Sequence, residues 1–152
     1  MSPDKALEKL EAYYQAMPPV AAMQLRIDAY DGERLRLHAP LAAHVNDKGC
    51  AFGGSLNSLM TLASWGLVSM RLEAAGLPSE VYIADNVVHY VAPLFADLNA
   101  EAELAVEATW QGFVDTLRAR GRARIHVNAQ VRLPDGGEAA RFKARYVAFA
   151  KG

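Results

Sequence analysis

Apolar and polar positions along this chain follow two rhythms, helical in the first half and alternating in the second. Leu7, Leu10, Tyr14 and Met17 recur at helical spacing behind Ser2-Pro3-Asp4, which reads as an N-cap with proline in the first turn. Pro18-Pro19 is expected to stop that helix. Two short strands are expected over 24–30 and 33–39, and Asp31-Gly32 between them is a strong hairpin signal. Residues 40–52 read as loop, with His44, Asn46, Asp47 and Gly49 as turn residues. Residues 53–75 then form a long helix whose middle is apolar on nearly every side, so something has to wrap it. Gly76-Leu77-Pro78 ends it.

Everything after Pro78 reads as strand, over 80–91, 98–109, 117–133 and 138–150. The second of these alternates Ala102, Leu104, Val106 and Ala108 against Glu101, Glu103 and Glu107. The third alternates Ala119, Ala123, Ile125 and Val127 against Arg118, Arg120, Arg122 and Arg124, and the last carries Arg141, Lys143 and Arg145 on one face. Period-two patterning predicts an antiparallel sheet with one wet face. The sum is a single α+β domain over residues 1–152, in which one sheet curls around one buried helix.

Composition changes this picture little. The chain has 152 residues, 52% of them apolar and 22% charged, as expected of a globular protein with a real core. A net charge of −1 gives no global basic footprint for nucleic acid. One cysteine, Cys50, excludes an internal disulfide framework and fits a reducing compartment. The chain opens on an amphipathic segment in place of a secretory signal, and the apolar stretch 56–70 is short for a bilayer and carries Ser58, Thr61, Ser64 and Ser69. A cytoplasmic protein without membrane partners is therefore expected. His38, His44, His89 and His126 have no ligand spacing with cysteine or acidic residues, and nucleotide loops are absent, so neither metal nor cofactor is expected.

The candidate chemistry lies in residues 46–64. A polar loop ends in Gly53-Gly54 and opens directly into the long helix, which aims backbone N–H groups at whatever sits over its positive end. Such a site polarises a carbonyl or holds an oxyanion. No carboxylate lies between Lys48 and Met70, so the usual base of a hydrolase is missing from this stretch. Asn46 is either a donor to substrate or a residue capping its own turn. Gly53-Gly54 serves the anion site, tight packing, or both. Ser55 and Asn57 are substrate ligands or helix caps, and the Thr61 and Ser64 hydroxyls are expected to bond back to the helix. Asp85 and His89 share a strand face, where an acid–base pair competes with a surface contact. Cys50 reads as a small buried thiol. The arginine stripe either pairs with Glu101, Glu103 and Glu107 or remains free for an acidic or phosphate-bearing partner.

Three features resemble the hot-dog fold of acyl-thioester enzymes. They are Phe52-Gly53-Gly54 where many members have His-Gly-Gly, Asn46 six residues earlier, and the strand Ala84-Asp85-Asn86-Val87-Val88-His89-Tyr90 leading to Pro93. Two departures stand out: the motif histidine is Phe52, and the helix position of the catalytic carboxylate is Thr61. A narrower resemblance, carried by Ala51-Phe52-Gly53-Gly54-Ser55-Leu56 and Thr61-Leu62-Ala63-Ser64-Trp65-Gly66, is to a hot-dog subfamily that bears the thioesterase label and includes malonyl-acyl-carrier-protein decarboxylases.

The resemblance implies a homodimer or a dimer of dimers with its pocket between subunits, acting on an acyl-carrier-protein or coenzyme A thioester. It implies Asn46, Gly54 and Thr61 as catalytic positions. Phe52, Gly53, Ser55, Asn57, Ser64 and Asp85 would contact substrate, and Arg118, Arg120, Arg122 and Arg124 would dock the carrier. Decarboxylation of a malonyl thioester to start fatty-acid synthesis is the first expectation, since it needs enolate stabilisation and no attacking water. Thioester hydrolysis is the second, and a non-catalytic acyl-thioester binding module the third.

Overall fold

The computed structural model describes residues 2–152. The first helix, α1 (Pro3–Ala16), is capped by Ser2, whose Oγ accepts from the Lys5 N–H at 3.3 Å. Pro18-Pro19 does end α1, but it also begins a second short helix, α2 (Pro18–Ala21). Proline loses nothing at a first helical position, where its missing N–H has no intrahelical partner. Strands β1 (Arg26–Tyr30) and β2 (Arg34–Ala39) form the expected hairpin. A 3-10 turn at Leu41–Ala43 and a tight loop, closed by a bridge between Val45 and Ala51, lead into α3 (Gly53–Ala74). Then come β3 (Ser79–Tyr90), β4 (Leu98–Leu104), α4 (Trp110–Arg120), β5 (Arg122–Arg132) and β6 (Glu138–Ala150).

All six strands join one antiparallel sheet in the order β1-β2-β4-β5-β6-β3. The sheet curls around α3, which touches β2, β3, β4, β5 and β6. On the side the sheet leaves open, α1 packs against α3. Tyr14 from α1 is fully buried there and donates to the Leu62 carbonyl at 2.7 Å. Gly66 makes this approach possible: a Cβ on it would stand 2.7 Å from Leu35 Cδ2 and nearer still to the Tyr14 hydroxyl. The all-round apolar character of α3 thus has a simple cause, a sheet on one side and a helix on the other. No helix is long and apolar enough to cross a membrane among the described residues.

The strand expected over 117–133 is a correction. Its first part belongs to α4, where Trp110, Phe113, Val114 and Leu117 supply a buried helical stripe. Thr109 caps the start, its Oγ1 accepting from Gly112 N–H at 3.1 Å, and Gly121, in the left-handed region at φ 74°, closes the end. The even-numbered arginines ran through this boundary unbroken, so the alternation concealed the change of period. Likewise β4 stops at Leu104, short of the expected Thr109. Arg118 and Arg120 are therefore helical, while Arg122 and Arg124 lie on β5, and the four do not form one strand face.

Of the two alternatives for the arginines, pairing with Glu101 and Glu103 is not what the structure shows, for reasons of register. Glu101 and Glu103 stand opposite Gln130 and Asn128, and their ion pairs go instead to Arg34 and Arg36 on β2.

Candidate functional site

Helix α3 begins without a side-chain cap. The N-cap residue is Phe52, whose carbonyl accepts from the N–H groups of Ser55 and Leu56 at 3.0 and 3.1 Å. The N–H groups of Gly53 and Gly54 have no hydrogen-bond partner among the described residues. An uncapped helix start concentrates partial positive charge and orphan donors in one place. Phe52 is 55% exposed, and its ring lies across Gly54: a Cβ there would sit 2.5 Å from Phe52 Cε2. Gly53 faces the other way, toward the Tyr90 ring, 3.4 Å from where its Cβ would be.

Beside this start a cavity of about 640 Å³ opens between α2, the first three turns of α3 and the Ile83–Asn86 part of β3. Its lining includes Phe52, Gly54, Ser55, Asn57 and Thr61, which brings together five of the expected catalytic and substrate-contacting residues and leaves out Asn46, Gly53, Ser64 and Asp85. Among the described residues no carboxylate lines it, and its one ionisable side chain is His44, a turn residue by its sequence context.

His44 is only 5% exposed and is tied to the helix start twice. Its carbonyl accepts from the Phe52 N–H at 2.7 Å, and its Nδ1 lies 2.8 Å from Ser55 Oγ. Its Nε2 lies 2.8 Å from the Met23 carbonyl, which can only accept. Nε2 therefore carries the hydrogen, and Nδ1 is the nitrogen that faces the Ser55 hydroxyl. Nothing in the spacing announces this pair. Loop 45–51 folds back on itself and brings residues 44 and 55 together, a closure that only the structure displays.

The remaining candidates are distributed as follows. Asn46 is half-buried and held by its own loop: its Oδ1 accepts from Lys48 and Cys50 N–H at 2.8 and 3.2 Å, and its Nδ2 donates to Cys50 Sγ at 3.3 Å. It does not line the cavity. Thr61 lines it, with its hydroxyl bonded back to the Asn57 carbonyl at 2.8 Å. Ser64 is fully buried behind the cavity, donating to Met60 O at 2.8 Å and lying 2.5 Å from the Tyr146 hydroxyl, which also reaches Thr61 O. Burial drives the Tyr146 phenol far above its ordinary range, so it stays protonated.

Asp85 points out of the cavity. A register irregularity between Ile83 and Asp85 leaves its carboxylate paired with Arg145 at 2.8 Å. His89 lies on the same outer face, in a groove with Val87, Arg141 and Lys143. Arg118 sits at the other end of α3, where it donates to the Ala75 carbonyl at 3.0 Å. At about 1.5 Å rise per residue, the 22 residues of α3 put roughly 33 Å between that end and the cavity mouth. Arg120, Arg122 and Arg124 form no ion pair among the described residues.

An antiparallel sheet curled around a long central helix, with a glycine-led helix start opening into a cavity, defines the hot-dog fold. Residues 7–150 match the family described as "Putative thioesterase (yiiD_Cterm)", and the chain belongs to that family. Among solved structures it is similar to a Chlorobaculum tepidum TLS protein of unknown function, at 28% identity over 99% of this chain and 98% of that one, with a TM-score of 0.92. It is also similar to a thioesterase-family structure from Shewanella oneidensis, at 24% identity over 96% and 99% of the two chains, with a TM-score of 0.84. A thioesterase from Haemophilus influenzae shares the fold at 14% identity over 93% and 90%, with a TM-score of 0.71.

Proposed function

We propose that this chain decarboxylates a malonyl thioester, carried on acyl carrier protein or coenzyme A, to the acetyl thioester. The observation that carries this reading is the open N–H donor of Gly54 at the start of α3, set beside a cavity that no carboxylate lines among the described residues. Decarboxylation develops negative charge on the thioester oxygen, where helix-end donors act, and it requires neither a nucleophile nor an attacking water. A carboxylate beside the malonyl group would repel it, and among the described residues none lines the cavity. Removing one such donor typically costs about 100- to 1,000-fold in rate.

Hydrolysis of an acyl thioester is the second reading. The family description favours it, and His44 gives it what the sequence withheld, a base within the cavity. Incubating the protein with malonyl-coenzyme A and measuring both carbon dioxide and free thiol separates the two. Carbon dioxide without thiol is expected; thiol without carbon dioxide would make the protein a hydrolase, and neither would favour a binding module.

The same reading includes a dimer built through β3. Among the described residues this strand pairs only with β6, so its other edge is unpaired, and Tyr82, Ile83, Val87 and Tyr90 along it are exposed. An unpaired apolar edge of this length is a template for a second strand. In such a dimer the Asn46 loop of one subunit would serve the cavity of the other, in keeping with Asn46 not lining its own. Carrier docking on Arg118, Arg120, Arg122 and Arg124 belongs to the reading as well, as does residence in a reducing compartment such as the cytoplasm, where the buried thiol of Cys50 stays free.

A further inference from the structure

Decarboxylation of a malonyl thioester consumes one proton. The bond from Cα to the carboxylate breaks, its electron pair becomes the enolate, carbon dioxide leaves, and Cα must then be protonated. In a cavity without carboxylates, that proton needs a source. We infer that His44 and Ser55 form a proton relay that protonates the enolate at Cα. The inference rests on the decarboxylase reading for its substrate, and on the geometry of the pair for its chemistry.

Three observations support it. Among the described residues His44 is the sole ionisable side chain lining the cavity, which makes it the proton source this subunit offers there. The Met23 carbonyl fixes the hydrogen on Nε2 and leaves Nδ1 as the atom that gains and loses a proton. Ser55 Oγ lies 2.8 Å from that nitrogen and lines the same cavity, on the same turn of α3 as the Gly54 donor. The enolate oxygen at the helix start and the proton-delivering hydroxyl are therefore neighbours by construction.

The step balances. With the imidazole protonated, Nδ1–H donates to Ser55 Oγ, and the Ser55 hydroxyl hydrogen is free to face the cavity. That hydrogen moves to Cα as the Nδ1 hydrogen moves to Oγ. The products are an acetyl thioester, an intact serine and a neutral imidazole, which solvent reprotonates. Run backwards on the product, the same relay removes a proton from the acetyl group and returns one from solvent.

That reverse step gives the test. Acetyl-coenzyme A is incubated with the protein in heavy water, and deuterium in the acetyl group is followed by mass, alongside carbon dioxide release from malonyl-coenzyme A. Wild type is expected to exchange. Ser55→Ala and His44→Gln should lose about 100-fold or more of the exchange rate, the low end of what a general acid–base group contributes. Ser55→Thr, which keeps the hydroxyl, should recover most of it. Carbon dioxide release in Ser55→Ala should fall less than exchange, because water can protonate an enolate once formed, and a fold defect would lower both alike.

Exchange in Ser55→Ala at the wild-type rate would overturn the relay even if carbon dioxide is still released. An acyl group found covalently on Ser55 would overturn it in favour of a nucleophilic serine. Wild type that exchanges acetyl protons but leaves malonyl-coenzyme A intact would overturn the decarboxylase and uphold the relay. Wild type that does neither overturns both.

Discussion

The two ends of α3 are built on opposite principles. At the C-terminal end every device for closing a helix is in place. Gly76, at φ 68°, donates to Glu73 O at 3.1 Å, Leu77 donates to Leu72 O at 3.0 Å, and Arg118 donates to Ala75 O. Together these make a Schellman closure with a cation added where the helix dipole is negative. At the N-terminal end the position that usually holds serine, threonine or aspartate holds Phe52, and two backbone donors are left open beside a cavity. One end is finished for stability. The other forgoes the roughly 1 kcal/mol a cap typically contributes and keeps its donors for a ligand.

The sharpest way to break this contrast is to finish the open end. Phe52→Asp places a carboxylate at the N-cap, where it accepts from the orphan N–H groups. Stability should rise by about 0.5–2 kcal/mol while turnover falls at least about 100-fold. Thermal melts and initial rates on the same samples decide it, and full activity in a stabilised variant would separate the helix start from the chemistry.

The buried tyrosines that hold the middle of α3 give the next effect. Burial raises the phenol pKa of both Tyr14 and Tyr146 in the folded state. A raised phenol pKa means the folded state holds its protons more tightly than the unfolded chain does. This stability is fully present below the unfolded tyrosine value of about 10 and is lost as pH rises above it. Melting temperature should drop beyond that pH, and Tyr14→Phe should flatten the drop; an unchanged slope would mean that other groups cause it.

At the closed end, Gly76→Ala puts a side chain at a left-handed position and should cost about 1 kcal/mol, with turnover unaltered. A loss of turnover beyond the loss of folded protein would mean that the C-terminal end takes part in catalysis. The smallest effect is expected from Arg120→Glu combined with Arg122→Glu. Stability should stay within about 0.5 kcal/mol. Turnover of a carrier-protein substrate should fall a few-fold at low salt while that of the coenzyme A thioester holds, and equal rates for both would remove carrier docking from this patch.

Much of the fold was legible because its signals were local and mutually consistent. The wrapped helix announced itself by apolar residues on all sides, and the strands by period two. What misled was a pattern that two structures satisfy at once: arginines at even positions continue through Gly121 from α4 into β5. The spacing of Trp110, Phe113, Val114 and Leu117 was the countersign, and it outweighs the alternation because those residues are the buried ones.

The site was legible only in part. Gly54, Ser55, Asn57 and Thr61 are consecutive turns of one helix, so their gathering follows from the helix itself. His44 and Asn46 lie on a loop that reverses, and there the chain brought the unexpected residue to the cavity. Asp85 was displaced by a single irregularity in β3, which no residue type in that strand foretells.

The most direct test of the central claim is the mass of malonyl-acyl-carrier protein after incubation with wild-type protein and with Phe52→Asp. Conversion to acetyl-carrier protein by wild type, lost in the variant although it melts at a higher temperature, is the predicted result. Release of the free carrier thiol by wild type, or acetyl-carrier protein formed equally well by the capped variant, would contradict it.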